Sequence, residues 1–170
     1  MNFVDYPWPH LVIDDYLPQD QFDSLRHEAL RYGEDGDVSR IFFDHDPIPH
    51  TADLLNEFVS HRPVGDKGKL IHYAVTKKDF VHEKHCDAEF KIMSAVLYLG
   101  PEKNSGTRLY GRKGERVDVE WKPNRMFVFC GLTDFTWHDY TSTDTRYTLN
   151  YFLIDRSKVK NPEYKDKMIV

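Results

Sequence analysis

Three residues of this chain have the types and spacing to hold a divalent metal: His85, Asp87 and His138. His85-Cys86-Asp87 puts an imidazole and a carboxylate two positions apart. In an extended backbone such positions face the same way, about 7 Å apart along the strand, so both side chains reach one ion. Cys86 between them points to the opposite side and is read as packing. His138 comes much later, directly after Trp137. Two imidazoles and a carboxylate on one face of a metal leave the opposite positions open. That arrangement suits ferrous iron, which needs vacancies for O2 and a co-substrate. The run His82-Glu83-Lys84-His85 is not the zinc-protease motif, because that motif needs His four residues after the first and position 86 is Cys.

A second candidate stands just downstream. Arg146 opens an aromatic, β-prone run that ends at Phe152. Period two puts Arg146, Thr148, Asn150 and Phe152 on one face. An inward guanidinium is costly unless it meets an anion, and its planar fork suits a carboxylate. Other polar residues read more plainly. His72 and His82 are a strand-face histidine and a pocket-rim residue. Asp44-His45-Asp46, before Pro47, is a solvated turn. Arg125 pairs with a surface acid. Trp121, Trp137, Phe127 and Phe129 belong to the core.

These residues need a scaffold, and the sequence predicts a β-rich one. Leu11–Ile13 reads as a short strand. Pro18 suits the first turn of a helix, in which Phe22, Leu25, Ala29 and Leu30 share a face before Gly33 and Gly36. A second helix starts near Thr51, with Leu54, Leu55, Phe58 and Val59 as its buried stripe and Pro63 and Gly65 as its stop. From Lys69 onward, short aromatic and β-branched runs follow one another: 70–75, 80–85, 92–99, 107–110, 117–121, 126–130, 135–138 and 147–154. Such spacing points to a sandwich or barrel, with one or two helices packed on it. The loops Gly33–Pro49 and Val75–Phe80 are expected to frame the mouth of the site. The tail from Pro162 is expected to fray.

The 170 residues fit one domain. With 23 basic and 28 acidic residues the net charge is −5, and no Lys/Arg run offers a footprint for nucleic acid or an anionic membrane. No apolar run approaches membrane-spanning length. Met1–Asp5 lacks a basic region followed by an apolar stretch, so a secretory signal is not expected. Two cysteines, Cys86 and Cys130, do not make a disulfide framework, so a reducing cytoplasm is the expected compartment. Nothing in the sequence sets the oligomeric state.

The ordered combination of His85-x-Asp87, His138 and Arg146 resembles the Fe(II)/2-oxoglutarate-dependent oxygenases, particularly their prolyl-4-hydroxylase-like branch. Three flanking phrases resemble it too: the run from Pro9 to Leu17, Val96–Leu99 followed by Ser105-Gly106-Thr107, and the run from Pro123 to Phe129. The likeness runs from about Pro9 to Ile154. It implies a mainly β fold with flanking helices and a double-stranded β-helix (jelly-roll) core. One oxygenase domain would span 1–170, with helical support over about 1–65 and the jelly roll over about 69–155. It implies Fe(II) on His85, Asp87 and His138, with 2-oxoglutarate and O2 as co-substrates. Arg146, helped by Thr148, would bind the far carboxylate of 2-oxoglutarate. Tyr73 is the candidate co-substrate tyrosine, with Tyr98 as a further one. The implied reaction is hydroxylation of an unactivated C–H bond in a protein side chain, such as proline, or in a small molecule, with release of succinate and CO2. Asp87 favours hydroxylation, because related halogenases lack this carboxylate.

Two other classes share the metal ligands: a cupin-like metal enzyme without 2-oxoglutarate, and a non-catalytic jelly-roll binding module. Arg146 speaks against the first and the complete ligand set against the second.

Overall fold

A computed structural model describes residues 2–59, 66–131 and 134–170. In chain order it contains β1 (Asn2–Val4), β2 (His10–Ile13), α1 (Gln19–Ala29), β3 (Val38–Phe42), α2 (His50–Val59), β4 (Lys67–Thr76), β5 (Val81–His85), β6 (Lys91–Gly100), β7 (Thr107–Tyr110), β8 (Arg116–Val119), β9 (Met126–Cys130), β10 (Trp137–Thr141) and β11 (Arg146–Asp155). A 3-10 turn, Arg156–Lys158, and a short helix α3, Pro162–Lys165, close the chain. The strands form two antiparallel sheets. The larger has the order β1-β2-β9-β6-β11-β4-β3 and the smaller β5-β10-β7-β8.

Alternation along the large sheet divides its side chains between two compartments. Ile71, Tyr73, Ala95, Leu97, Met126, Val128, Leu149, Tyr151 and Leu153 join Phe22, Leu25, Ala29, Leu55 and Val59 of the helices in one buried cluster. The opposite parity faces the small sheet: Tyr98, Phe127 and Phe129 pack with Leu109, Val119 and Trp121. The jelly roll is therefore a two-layer sandwich with helices on its outer face. Gly106 sets the approach of β7 to β8, since a Cβ there would overlap the Val119 carbonyl.

Several sequence expectations shift. Pro18 stands at the N-cap of α1 rather than inside its first turn, and its carbonyl accepts from the Phe22 N–H at 2.9 Å. Leu30 lies past the helix and is exposed. In α2 the buried stripe is Thr51, Leu55 and Val59, and Phe58 points to solvent. Pro63 and Gly65 lie outside the described residues. The segment expected as a mouth loop contains β3, which extends the large sheet along β4. Asp46 is not solvated, because it accepts from Tyr151 Oη at 2.6 Å and from Lys69 Nζ at 3.2 Å. The tail does not fray. Val159 is buried, Tyr164 packs on Phe42 and Phe90, and Ile169 pairs with Lys69.

No helix among the described residues is long and apolar enough to cross a membrane.

Candidate metal centre

Register brings the two histidines together. β10 runs antiparallel to β5 with His138 directly opposite His85, and their ring centroids are 4.4 Å apart. Each ring is fixed in the same way. Nδ1 lies 2.8 Å from the Glu83 carbonyl in His85 and 2.9 Å from the Thr136 carbonyl in His138. A backbone carbonyl at Nδ1 selects the tautomer with its proton there, which leaves Nε2 as the free donor. Asp87 follows the end of β5 rather than lying within it. One potential ligand atom from each of His85, Asp87 and His138 falls within 4.8 Å of the others. Cys86 is not in this cluster.

The carboxylate of Asp87 is held from both sides. Lys91 Nζ donates to Oδ1 at 2.8 Å, and the Ser94 hydroxyl donates to Oδ2. Burial alone would raise its pKa, but the Lys91 ammonium, His138 and these hydrogen bonds outweigh burial and hold it at about 2. Burial holds His138 at about 4, against the opposing pull of Asp87. The site thus carries an ionised carboxylate and a neutral buried imidazole at neutral pH, the protonation states that metal ligands need. The donor set, two imidazoles and one carboxylate facing an open pocket, fits non-heme Fe(II).

That pocket has a volume of about 220 Å³ and lies between the sheets. Arg146 and Thr148 line it together with the metal cluster. Arg146 is 3% exposed. Its guanidinium lies among the rings of Tyr140, Trp121 and Tyr98, at 4.0, 5.0 and 5.2 Å. Nη1 is buried with no hydrogen-bond partner among the described residues. Burial pushes its pKa below the usual guanidinium value, yet arginine stays charged in proteins. A buried cation with an unused donor calls for an anion. Thr148 spends its hydroxyl on Asn150 Oδ1 at 3.2 Å.

The two candidate tyrosines part company. Tyr73 faces the helices, packs on Phe43 and Tyr32, and points its hydroxyl toward Glu28. It lines a different hollow from the metal cluster. Parity explains this: His72 and Ala74 are the pocket-facing residues of β4. Tyr98 has the pocket-facing parity but stands behind the wall, stacked on Trp121, with its hydroxyl 2.8 Å from Thr107 Oγ1. Its neighbour Leu97 faces the helices. Trp121 is buried as expected, but it also flanks Arg146.

Sequence reasoning missed Tyr140, Lys91 and Ser94. Tyr140 was within reach of a simple rule, since it follows His138 by two positions on a strand.

No family model and no curated protein sequence matches the chain. Its fold, however, is widely shared among solved structures. A Pseudomonas putida prolyl-4-hydroxylase superposes with a TM-score of 0.67 at 17% identity, covering 85% of this chain and 91% of that one. A Trichoplax adhaerens prolyl hydroxylase, solved with a peptide fragment of the hypoxia inducible factor oxygen degradation domain, gives 0.68 at 12% identity, with 87% and 84% covered. The non-heme alpha ketoglutarate dependent epimerase SnoN from nogalamycin biosynthesis gives 0.67 at 11% identity, with 86% and 78% covered. The chain thus has the double-stranded β-helix fold of the prolyl-4-hydroxylases and other 2-oxoglutarate–Fe(II) oxygenases.

Proposed function

We propose that this protein is an Fe(II)- and 2-oxoglutarate-dependent dioxygenase that hydroxylates a C–H bond of a peptide side chain or small molecule. One observation carries the reading: a buried guanidinium with an unpartnered N–H shares a pocket with two oriented imidazoles and an ionised carboxylate. The triad alone would support some divalent metal; Arg146 adds a carboxylate-bearing co-substrate.

In this reading His85, Asp87 and His138 hold Fe(II). Arg146 binds the far carboxylate of 2-oxoglutarate in a bidentate fork, and Thr148 borders it. The bound iron and 2-oxoglutarate supply O2-dependent oxidation, with succinate and CO2 as by-products. The protein orients its ligands through Glu83, Thr136, Lys91 and Ser94. It excludes water with Phe127, Phe129 and Phe152, which line the same pocket. Asp87 keeps a full complement of protein ligands, which supports hydroxylation.

The test is co-substrate protection. With Mn(II) in place of iron, 2-oxoglutarate should raise the melting temperature of the wild-type protein, and Arg146→Ala should abolish most of that rise. Protein supplied with Fe(II), 2-oxoglutarate and O2 should form succinate. Absence of both metal binding and 2-oxoglutarate protection would refute the reading.

A further inference from the structure

The pocket has a rim residue that the chemistry so far leaves unused. β3 pairs with β4 so that Val38, Arg40 and Phe42 stand opposite Thr76, Ala74 and His72. This is the pocket-facing parity, and Val38 and Arg40 line the pocket. Ala74 opposite Arg40 is too small to fill the space between them. Arg40 forms no ion pair with any described residue. Glu163 shares a shallow rim depression with it but is not its ion-pair partner.

Charge inside the pocket is uneven. Its lining cations are Arg40, Lys91 and Arg146, and its lining acid is Asp87. Lys91 is taken by Asp87, and Arg146 is taken by the co-substrate in the proposed reading. Fe(II) and the 2-oxoglutarate dianion cancel each other. The loaded pocket therefore keeps a positive excess, and Arg40, on the exposed rim, is the lining cation that meets neither an acid nor, in the proposed reading, the co-substrate.

Aromatic rings line the pocket together with Arg40. Phe42 and Phe152 flank His72, with centroids at 5.1 and 5.6 Å. Tyr164 meets Phe42 and Phe90 at 6.2 and 5.9 Å. The tail carrying Tyr164 is tied down by two hydrogen bonds of 2.8 Å between the Lys69 and Ile169 backbones. Phe90, Phe152 and Tyr164 line the same pocket as Arg40, and its volume of about 220 Å³ suits a small ligand. The pocket also holds a spare donor. Asn150 Nδ2 lies 3.2 Å from His72 Nε2, which puts the ring proton on Nδ1, and Nδ1 is buried without a partner.

From these observations we infer that the oxidised substrate is a small carboxylic acid with an apolar body, held by its carboxylate on Arg40 with its body among Phe90, Phe152 and Tyr164. The inference rests on the oxygenase reading. Arg40 would set specificity and would take no part in the oxidation.

The experiment uses full-length protein loaded with Mn(II) and 2-oxoglutarate. The probes are N-acetyl-L-leucine, N-acetyl-L-phenylalanine and N-acetyl-L-proline, each beside its primary amide, and a capped pentapeptide with one central Glu. Affinity is read by calorimetric titration. At least one acid should bind about tenfold more tightly than its amide. Arg40→Gln should erase that preference and leave the 2-oxoglutarate melting shift unchanged. Equal binding of acid and amide, no binding by any acid, or an unaltered preference in Arg40→Gln overturns the inference. Tighter binding of the capped peptide than of every acid does so as well, in favour of a peptide substrate. A wild-type protein that shows no 2-oxoglutarate shift fails earlier, at the oxygenase reading itself.

Discussion

The guanidinium of Arg146 lies 4.0 Å from the centre of the Tyr140 ring, while its Nη1 has no acceptor among the described residues. Aromatic faces attract a cation but do not replace a counter-ion. The free protein therefore holds a desolvated charge at a cost that binding of an anion would relieve. Arg146→Met removes the charge and keeps much of the volume. The metal-free variant should be more stable than wild type by about 1–2 kcal/mol, with a melting temperature a few degrees higher. Its 2-oxoglutarate protection should be gone. A variant that melts lower and still responds to 2-oxoglutarate would mean that Arg146 serves the fold and not the ligand.

How far the sequence carried depended on whether a residue's signal was local. His85 with Asp87, and Arg146 with Thr148, were readable because a two-residue spacing is a local signal that needs no knowledge of partners, although Asp87 lies just past the end of β5. The register of His138 against His85 was not readable, because it depends on how β5 and β10 pair across the sheet. Tyr73 failed by one step of parity: His72, paired with Asn150 of β11, faces the pocket, and that pairing across the sheet has no local signal in the sequence. β3 was hidden because an edge strand partly buried on both faces, Val38-Ser39-Arg40-Ile41-Phe42, has no clean alternation. The tail looked free because Tyr164 and Ile169 find their partners far away in sequence.

Ser94 offers a check on the metal site that leaves every ligand in place. Its hydroxyl donates to Asp87 Oδ2, while Lys91 occupies Oδ1. Outer partners of this kind orient a ligating carboxylate, and losing one costs about 10–100-fold in metal affinity. Ser94→Ala should weaken Mn(II) binding by about tenfold, at the low end of that range, as read by competition with a chelator. Metal affinity equal to wild type would assign the orientation of Asp87 to Lys91 alone.

Acid should destabilise the protein through His72. Burial, with help from Lys91 and Arg40, lowers its pKa from 6.5 to about 3. The unfolded chain thus takes up a proton below pH 6.5 that the folded chain refuses until about pH 3. The stabilisation is fully present above pH 6.5 and is lost as pH falls through that window, with a limiting slope of about 1.4 kcal/mol per pH unit. Urea denaturation of the metal-free protein at pH 7.5 and 4.5 should show a smaller acid loss in His72→Gln than in wild type. Parallel losses in the two proteins would place the acid sensitivity elsewhere.

Tyr73 and Tyr98 separate two kinds of neighbour. Tyr73 points its hydroxyl toward Glu28 on the helical side of the sheet, so Tyr73→Phe should leave 2-oxoglutarate affinity unchanged. Tyr98 backs the Arg146 guanidinium, and its hydroxyl is paired with Thr107, which lines the pocket. Tyr98→Phe keeps the ring but leaves the Thr107 hydroxyl without that partner, a loss of about 1 kcal/mol in stability. Its effect on 2-oxoglutarate should be indirect and less than tenfold, because the fork of Arg146 stays in place. Titration of the Mn(II)-loaded variants with 2-oxoglutarate gives the order directly. A larger loss in Tyr73→Phe than in Tyr98→Phe would contradict the parity of β4 and, with it, the placement of His72 in the pocket.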